Sequence, residues 1–477
     1  MKKLRKGHPY DRYLIPLTIL MAFLGCGHQE KKQGDSVAPA NWYVTTLDQK
    51  QLMQPHSVGM DPNAEPTVNI RLDSSTTYQE MDGFGYTLTG GSAMLLQGMS
   101  TARRAELLEE LFGNGPNTIS VSYLRLSVGA SDLDEKTWSY DDMPKGATDL
   151  GLVHFSLGYD TLYLIPTLKE ILKISPNIKL MGSPWSPPAW MKDNEDTRGG
   201  SLKEEYYGVY ANYLANYVEA MAGEGIAIDA LTIQNEPLHP GNNPSMLMLA
   251  DAQADFIKNH LGPKFKAMGI NTKIVIYDHN ADRPDYPISI MDDPQAEPFI
   301  DGSAFHLYGG TIGALSQVHD AHPSKNIYFT EQWIGAPGDF ANDFSWHIEQ
   351  LMIGAPRNWS KTVLQWNLAA DENQEPHTDR GGCDRCLGAL TIKGEQVTRN
   401  PAYYIVAQFS KFVPPGSLRI ASTAVDQFPN VAFLTPKGKV VVAIQNNGGK
   451  DETIKVVIGK RSFVLPLSAG AVGTLVL

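Results

Sequence analysis

The sequence predicts an α/β fold: a (β/α)8 barrel with an antiparallel β-sandwich appended to it, the sandwich formed by the N- and C-terminal segments. Three observations carry this. Between residues 82 and 367, short apolar runs alternate with longer helix-patterned segments, the signature of βα units around a parallel sheet. Eight such runs fit in fewer than about 300 residues, the usual span of a barrel. Both ends of the chain lose the helical period and show period-two alternation between turn residues. Alternation alone leaves an open, doubly wound sheet as an alternative for the middle.

The eight candidate strands are Gly83 to Leu88, Ser122 to Val128, Lys179 to Trp185, Ala230 to Glu236, Lys273 to Tyr277, Gly302 to Leu307, Asn326 to Glu331 and Thr362 to Asn367. Between them, Ala102 to Phe112 carries Leu107, Leu108, Leu111 and Phe112 on one helical face, and Glu204 to Met221 repeats Tyr, Val and Leu at helical spacing. At the ends, Val68, Ile70 and Leu72 alternate. Val440 to Ile444 and Ile454 to Ile458 read as short strands separated by Asn-Gly-Gly and Lys-Gly turns. The division expected is 1–26 signal peptide, 27–41 tether, 42–80 strands given to the sandwich, 81–400 barrel and 401–477 sandwich.

A formal net charge of -12 and a pI near 5.5, with no Lys/Arg cluster after the first 35 residues, argue against a nucleic-acid partner, which needs a basic footprint. The first residues are a targeting segment: Lys2, Lys3, Arg5 and Lys6 precede the apolar stretch Tyr13 to Gly25, too short to span a bilayer comfortably. It ends in Phe23-Leu24-Gly25-Cys26, which resembles a bacterial lipoprotein cleavage box and makes Cys26 the lipidation site; a plain signal peptide cut nearby is the alternative. The protein is expected to be exported to the bacterial surface or periplasm as a monomer, touching membrane only through that anchor. The remaining cysteines, Cys383 and Cys386, form a Cys-x-x-Cys pair expected to be a loop-stapling disulfide, since neither a thioredoxin-like context nor paired histidines surround it.

In a barrel, chemistry sits at the C-terminal ends of the strands. Two glutamates close apolar strands there: Glu236, ending Ala-Leu-Thr-Ile-Gln-Asn-Glu-Pro on strand four, and Glu331, ending Asn-Ile-Tyr-Phe-Thr-Glu on strand seven. Three βα units separate them, which places them on facing walls. Two carboxylates across a cleft are what glycoside hydrolysis needs, one protonating the leaving oxygen and the other attacking the anomeric carbon. A lone strand-ending glutamate is more often a surface or capping residue; two at this spacing reverse that weighting. Trp185 and Trp366 end strands three and eight, where their rings can stack on a pyranose. Core packing is preferred for Trp42, Trp346 and Trp359. Arg125 can hold a carboxylate ionised, Tyr308 can reach Glu331, and His306 closes strand six with it. Asn367 is a candidate for sugar hydroxyls, and Asp278-His279-Asn280 either lines a subsite or caps a helix. No cofactor and no metal are expected, because there is no His-Glu-x-x-His run, phosphate loop or Gly-x-Ser-x-Gly elbow.

From about residue 80 to 415 the chain resembles glycoside hydrolase family 30, which contains glucosylceramidases, endo-β-1,6-glucanases and β-xylanases. The resemblance rests on Gly83-Phe-Gly85, Leu124-Arg125-Leu-Ser-Val-Gly-Ala-Ser-Asp132, Ser183-Pro-Trp185-Ser-Pro-Pro-Ala-Trp190, Asn235-Glu236-Pro237 and Glu331. It implies Glu236 as acid/base, Glu331 as nucleophile, Asn235 on the sugar 2-hydroxyl, Arg125 orienting the nucleophile and Asp132 in the sugar site. Gly90 stands where the glucosylceramidase type has an acidic residue, and Tyr86 to Gly91 and Gly381 to Gly388 are similar to the bacterial endo-β-1,6-glucanase group. A β-glucan polysaccharide or oligosaccharide is therefore the expected partner. A β-glucosidase or glucosylceramidase is the runner-up, and a non-catalytic glycan-binding lipoprotein is the rival of another class.

Overall fold

The computed structural model describes residues 40–59, 66 and 68–477. The signal segment and Cys26 lie outside them. The expected tether does too, except for residues 40 and 41, which already belong to the strand Ala40–Thr45.

Eight parallel strands close into a barrel, which excludes the open-sheet alternative. In chain order they are β1 (Gly83–Leu88), β2 (Tyr123–Val128), β3 (Lys179–Pro184), β4 (Ala230–Thr232), β5 (Lys273–Ala281), β6 (Ile300–Gly310), β7 (Asn326–Glu331) and β8 (Ser360–Asn367), each paired with its neighbours and β8 with β1. Tyr123, Met181, Ala230, Val275, Ala304, Tyr328 and Leu364, one from each of β2 to β8, form a buried interior cluster. This is the side-chain layer that fills such a barrel. The outward residues pack on the helices: Leu107, Leu108, Leu111 and Phe112 of the helix Thr101–Phe112 are all buried.

Two strands differ from expectation, and both differences shape the site. β4 stops at Thr232, four residues early. Beyond it the backbone leaves the ladder but stays bonded, Asn235 N to Pro184 O and Glu236 N to Asp278 O. β5 runs on to Ala281 through a bulge in which Tyr277 and Asp278 take positive φ, 71° and 64°. A bulge of this kind re-aims a side chain.

The terminal segments form one curled nine-stranded sheet. Its strands run in the order Gln54–Val58, Ala40–Thr45, Val472–Val476, Val440–Gln445, Asn430–Leu434, Ser417–Ser422, Val68–Met81, Glu452–Ile458 and Arg461–Leu467. Neighbours are antiparallel except Val68–Met81 with Glu452–Ile458, which run parallel. They enclose a second core around Trp42, Ile70, Val442, Val456, Phe463 and Leu475. The indole of Trp42 lies on Gly473, where a Cβ would come within 2.0 Å of the ring. Residues 401–410, assigned to the sandwich from sequence, instead form the helix Pro401–Ser410 on the outside of β1. Phe409 packs 5.6 Å from Phe84 and Tyr86 Oη donates to Ala402 O. Their apolar residues follow a helical rather than alternating period, and sandwich strands resume only at Ser417. Trp42 is buried as expected, Trp359 stacks on His319, and Trp346, expected in the core, is 39% exposed. Among the described residues no helix is long and apolar enough to cross a membrane.

Candidate active site

The C-terminal ends of the strands converge on Arg125, which is fully buried. Its Nη1 donates to Glu331 Oε2 at 2.6 Å, and its Nη2 to Asp278 Oδ2 at 2.8 Å and Asn235 Oδ1 at 2.6 Å. The guanidinium lies 4.8 Å from the centre of the Trp185 ring, which in turn packs 5.3 Å from Trp366. A planar, permanently charged fork suits this position because it bonds in several directions and cannot lose its proton.

Asp278 is the centre of the arrangement, a residue that sequence reasoning set on a subsite or a helix cap. The bulge in β5 turns it inward instead. Its carboxylate accepts hydrogen bonds from Arg125, Ser183 (2.7 Å), Thr232 (2.9 Å), Thr330 (2.7 Å) and His306 Nε2 (3.2 Å). Burial alone would raise this carboxyl, but the Arg125 charge and those bonds hold it well below the usual carboxylate range. The only sequence signal was small hydroxyl residues at the ends of three different strands, which have no recognisable spacing.

His306 is fully buried between two carboxylates, Nε2 on Asp278 and Nδ1 3.2 Å from Glu236 Oε1, with Glu331 Oε1 3.8 Å away. It was expected to bind substrate; it lies behind Glu236 and does not line the cleft. Burial opposes its positive charge, yet Glu331, Asp278 and Glu236 push its pKa up to about 9. Its folded pKa thus exceeds the unfolded value of about 6.5. The associated stability, roughly 3 kcal/mol, is fully present below about pH 6.5 and is lost as pH rises through about 9. Urea midpoints of the wild type should fall more steeply across that window than those of His306→Gln; parallel curves would show that His306 is not charged in the folded protein.

The two glutamates face each other across an open cleft of about 400 Å³, each only 6–7% exposed, with their nearest oxygens within 4.8 Å. Glu331 ends β7, where the ladder shifts register so that consecutive Thr330 and Glu331 both reach the central cluster. Its Oε1 accepts from Tyr308 Oη at 2.9 Å. Glu236 has a positive φ of 45° and accepts from Asn242 at 3.4 Å besides His306. Burial lifts the Glu331 carboxyl above its ordinary value against His306 and Arg125. Burial lifts Glu236 as well, but the bond and charge of His306 outweigh it and lower that carboxyl. With Arg125 and His306 cationic beside three carboxyls, the glutamates titrate as a pair. The Arg125 charge opposes the rise at Glu331, and His306, unlike Arg125, can release its proton.

Asp132, Trp185, Tyr308 and Trp366 line the cleft, together with His239, Asn242, His279, Asn280, Trp333, Cys383 and Cys386. Burial, with the two glutamate charges, raises the Asp132 carboxyl well above its ordinary value, and its Oδ1 has no hydrogen-bond partner among the described residues. Asn235 lends Oδ1 to Arg125, leaving its NH2 as the free group. Asn367, expected to bind sugar, accepts instead from Ser92 Oγ at 2.9 Å and lies outside the cleft, because successive strand residues face opposite sides and Trp366 takes the inner one. Cys383 and Cys386 are disulfide-bonded, and the loop carrying them is held over the mouth by the pairing of Cys386–Leu387 with Ile334–Gly335. The bridge therefore walls the cleft beside Trp333 as well as stapling its loop.

A closed (β/α)8 barrel that presents two buried, opposed glutamates in an aromatic-walled cleft, with an arginine on one and a histidine on the other, defines a glycoside hydrolase. Residues 81–413 match the glycosyl hydrolase family 30 TIM-barrel domain and residues 416–475 the family's beta sandwich domain. The chain belongs to glycosyl hydrolase family 30. It is 33% identical over 411 residues to an endo-1,6-beta-D-glucanase of Trichoderma harzianum, covering 81% of each chain. It is 27% identical over 429 residues to the lysosomal acid glucosylceramidase of Mus musculus, covering 84% of this chain and 81% of that one. Among solved structures, it superposes on the endo-beta1,6-glucanase BT3312 with a TM-score of 0.86 at 34% identity, covering 92% of this chain and 99% of that one.

Proposed function

We propose that the protein is a retaining endo-β-1,6-glucanase in which Glu331 attacks the anomeric carbon while Glu236 protonates the leaving glycosidic oxygen, and Glu236 then deprotonates the water that hydrolyses the glycosyl-enzyme. The observation that carries the mechanism is the spacing: carboxylate oxygens within 4.8 Å of each other fit the about 5–5.5 Å separation of retaining pairs better than the about 6.5–9.5 Å of inverting ones. Arg125 and Tyr308 hold Glu331 ionised and aimed. Once the glycosyl-enzyme forms, the Glu331 charge disappears and Glu236, backed by His306, can take a proton from water.

The substrate reading rests on the β-1,6-glucanase relatives and on Gly90. At Gly90 a Cβ would come within 1.9 Å of the Asp134 carboxylate, so the acidic side chain of the glucosylceramidase type has no room there. The test is a product profile on β-1,6-glucan, β-1,3-glucan, xylan and glucosylceramide, with early product followed by NMR. Mixed short oligosaccharides from β-1,6-glucan, appearing first as the β-anomer, are expected. Monosaccharide alone would sink endo action, and initial α-anomer would sink retention. We read the first 26 residues as a lipoprotein signal that anchors the enzyme at the bacterial surface or in the periplasm through Cys26. Cys26→Ser should move it from the membrane fraction to the soluble one, and an unchanged distribution would refute the anchor.

A further inference from the structure

Away from the cleft, in the connection between β2 and the helix Leu164–Ile174, three residues converge. Asp141 is 1% exposed and Asp149 7% exposed, while the His154 side chain is 64% exposed. One donor atom from each lies within 4.8 Å of the other two. His154 Nδ1 is 2.8 Å from Asp149 Oδ2, which also accepts the His154 backbone N–H at 2.8 Å. Asp141 differs from every other carboxylate described above: both of its oxygens are buried and neither has a hydrogen-bond partner among the described residues. Trp190 Nε1 donates to its backbone carbonyl at 2.9 Å. A buried carboxylate with no donor, facing a second carboxylate, calls for either a proton or a cation between them.

We infer that Asp141, Asp149 and His154 form a binding site for a divalent cation, with the solvent-facing side of His154 left for water ligands. Two carboxylates and an imidazole are a mixed oxygen and nitrogen set, suited to zinc or manganese better than to calcium, which prefers oxygen throughout. The ion would tie the middle of the β2 connection to its own later part. That connection also carries Asp132 into the cleft and is pinned through Asp141 to Trp190, five residues after Trp185. The site is therefore a clamp on the cleft rim and takes no part in bond breaking. Sequence gave no hint of it, because Asp141, Asp149 and His154 are spread along an irregular loop with none of the compact ligand spacings of known metal motifs.

The test uses tag-free, chelator-dialysed full-length protein titrated separately with Zn²⁺, Mn²⁺ and Ca²⁺ by calorimetry, with thermal melting of the same samples. One Zn²⁺ or Mn²⁺ per chain and a melting temperature raised by several degrees are expected. Asp141→Asn, which keeps the side-chain shape, and His154→Ala, which alters only an exposed group, should each weaken binding about tenfold or more. Neither should change turnover by Glu331 at saturating substrate. Binding lost in Glu331→Gln but kept in Asp141→Asn would place the ion at the catalytic cluster and overturn the proposal. Ca²⁺ binding indifferent to His154 would overturn the donor set. No binding of any of the three ions, with Asp141→Asn melting above wild type, would mean that the two aspartates share a proton instead.

Discussion

Glu331→Gln is expected to lower kcat on β-1,6-glucan by about 10⁴-fold or more, because removing a residue that acts as the nucleophile removes the covalent route altogether. The amide keeps the length of the side chain and an oxygen for Arg125 Nη1, so the buried network around Asp278 should survive. Binding of a β-1,6-linked oligosaccharide should accordingly stay within a few-fold of wild type, and the unfolding curve should shift far less than the roughly 3–5 kcal/mol expected when a buried ion pair loses a whole partner. Steady-state kinetics, calorimetry and urea unfolding on one preparation separate these outcomes. An unchanged kcat would remove Glu331 from the chemistry. Equal losses of turnover and stability would make it a structural residue of the Arg125 cluster.

The barrel was legible because each strand buries a short apolar run and each helix an apolar stripe, both local patterns. β1 and β7 begin and end where the pattern says. β4 does not, because Ile233 prolongs the apolar run although the backbone has already turned away, Asn235 N bonding β3 and Glu236 N bonding β5. The two glutamates were found because they close apolar runs, and Arg125 because it interrupts one, where an ionisable group needs a reason. Asn367 was read as a sugar ligand without regard to side-chain parity: it follows an inward tryptophan and turns outward to Ser92. Asp278 was missed as the hub because its role depends on a bulge, and no residue pattern in Tyr277-Asp278-His279 announces a positive φ. Likewise, Trp333 and the Cys383–Cys386 bridge meet in the cleft only through a two-residue pairing between distant loops.

Glu236→Ala separates the acid role from the base role. On β-1,6-glucan, whose leaving group is a sugar hydroxyl needing a proton, turnover should fall by about 10²–10⁴-fold. On an aryl β-glucoside with an acidic phenol leaving group, attack by Glu331 needs no such proton, so the first step should remain fast and an initial burst of phenol should appear. The second step lacks its base and becomes limiting. Azide, a nucleophile that needs no deprotonation, should enter the space vacated by the carboxylate, restore turnover and yield a β-glycosyl azide. These expectations follow from Glu236 facing Glu331 while His306 stands behind it at 3.2 Å, too deep in the protein to reach the glycosidic oxygen itself. If azide gives the α-azide, attack is direct rather than through a glycosyl-enzyme. If the burst is absent and the loss is equal on both substrates, Glu236 positions the sugar and the proton comes from elsewhere in the cleft, with Asp132, whose carboxyl is raised by burial, as the group to replace next.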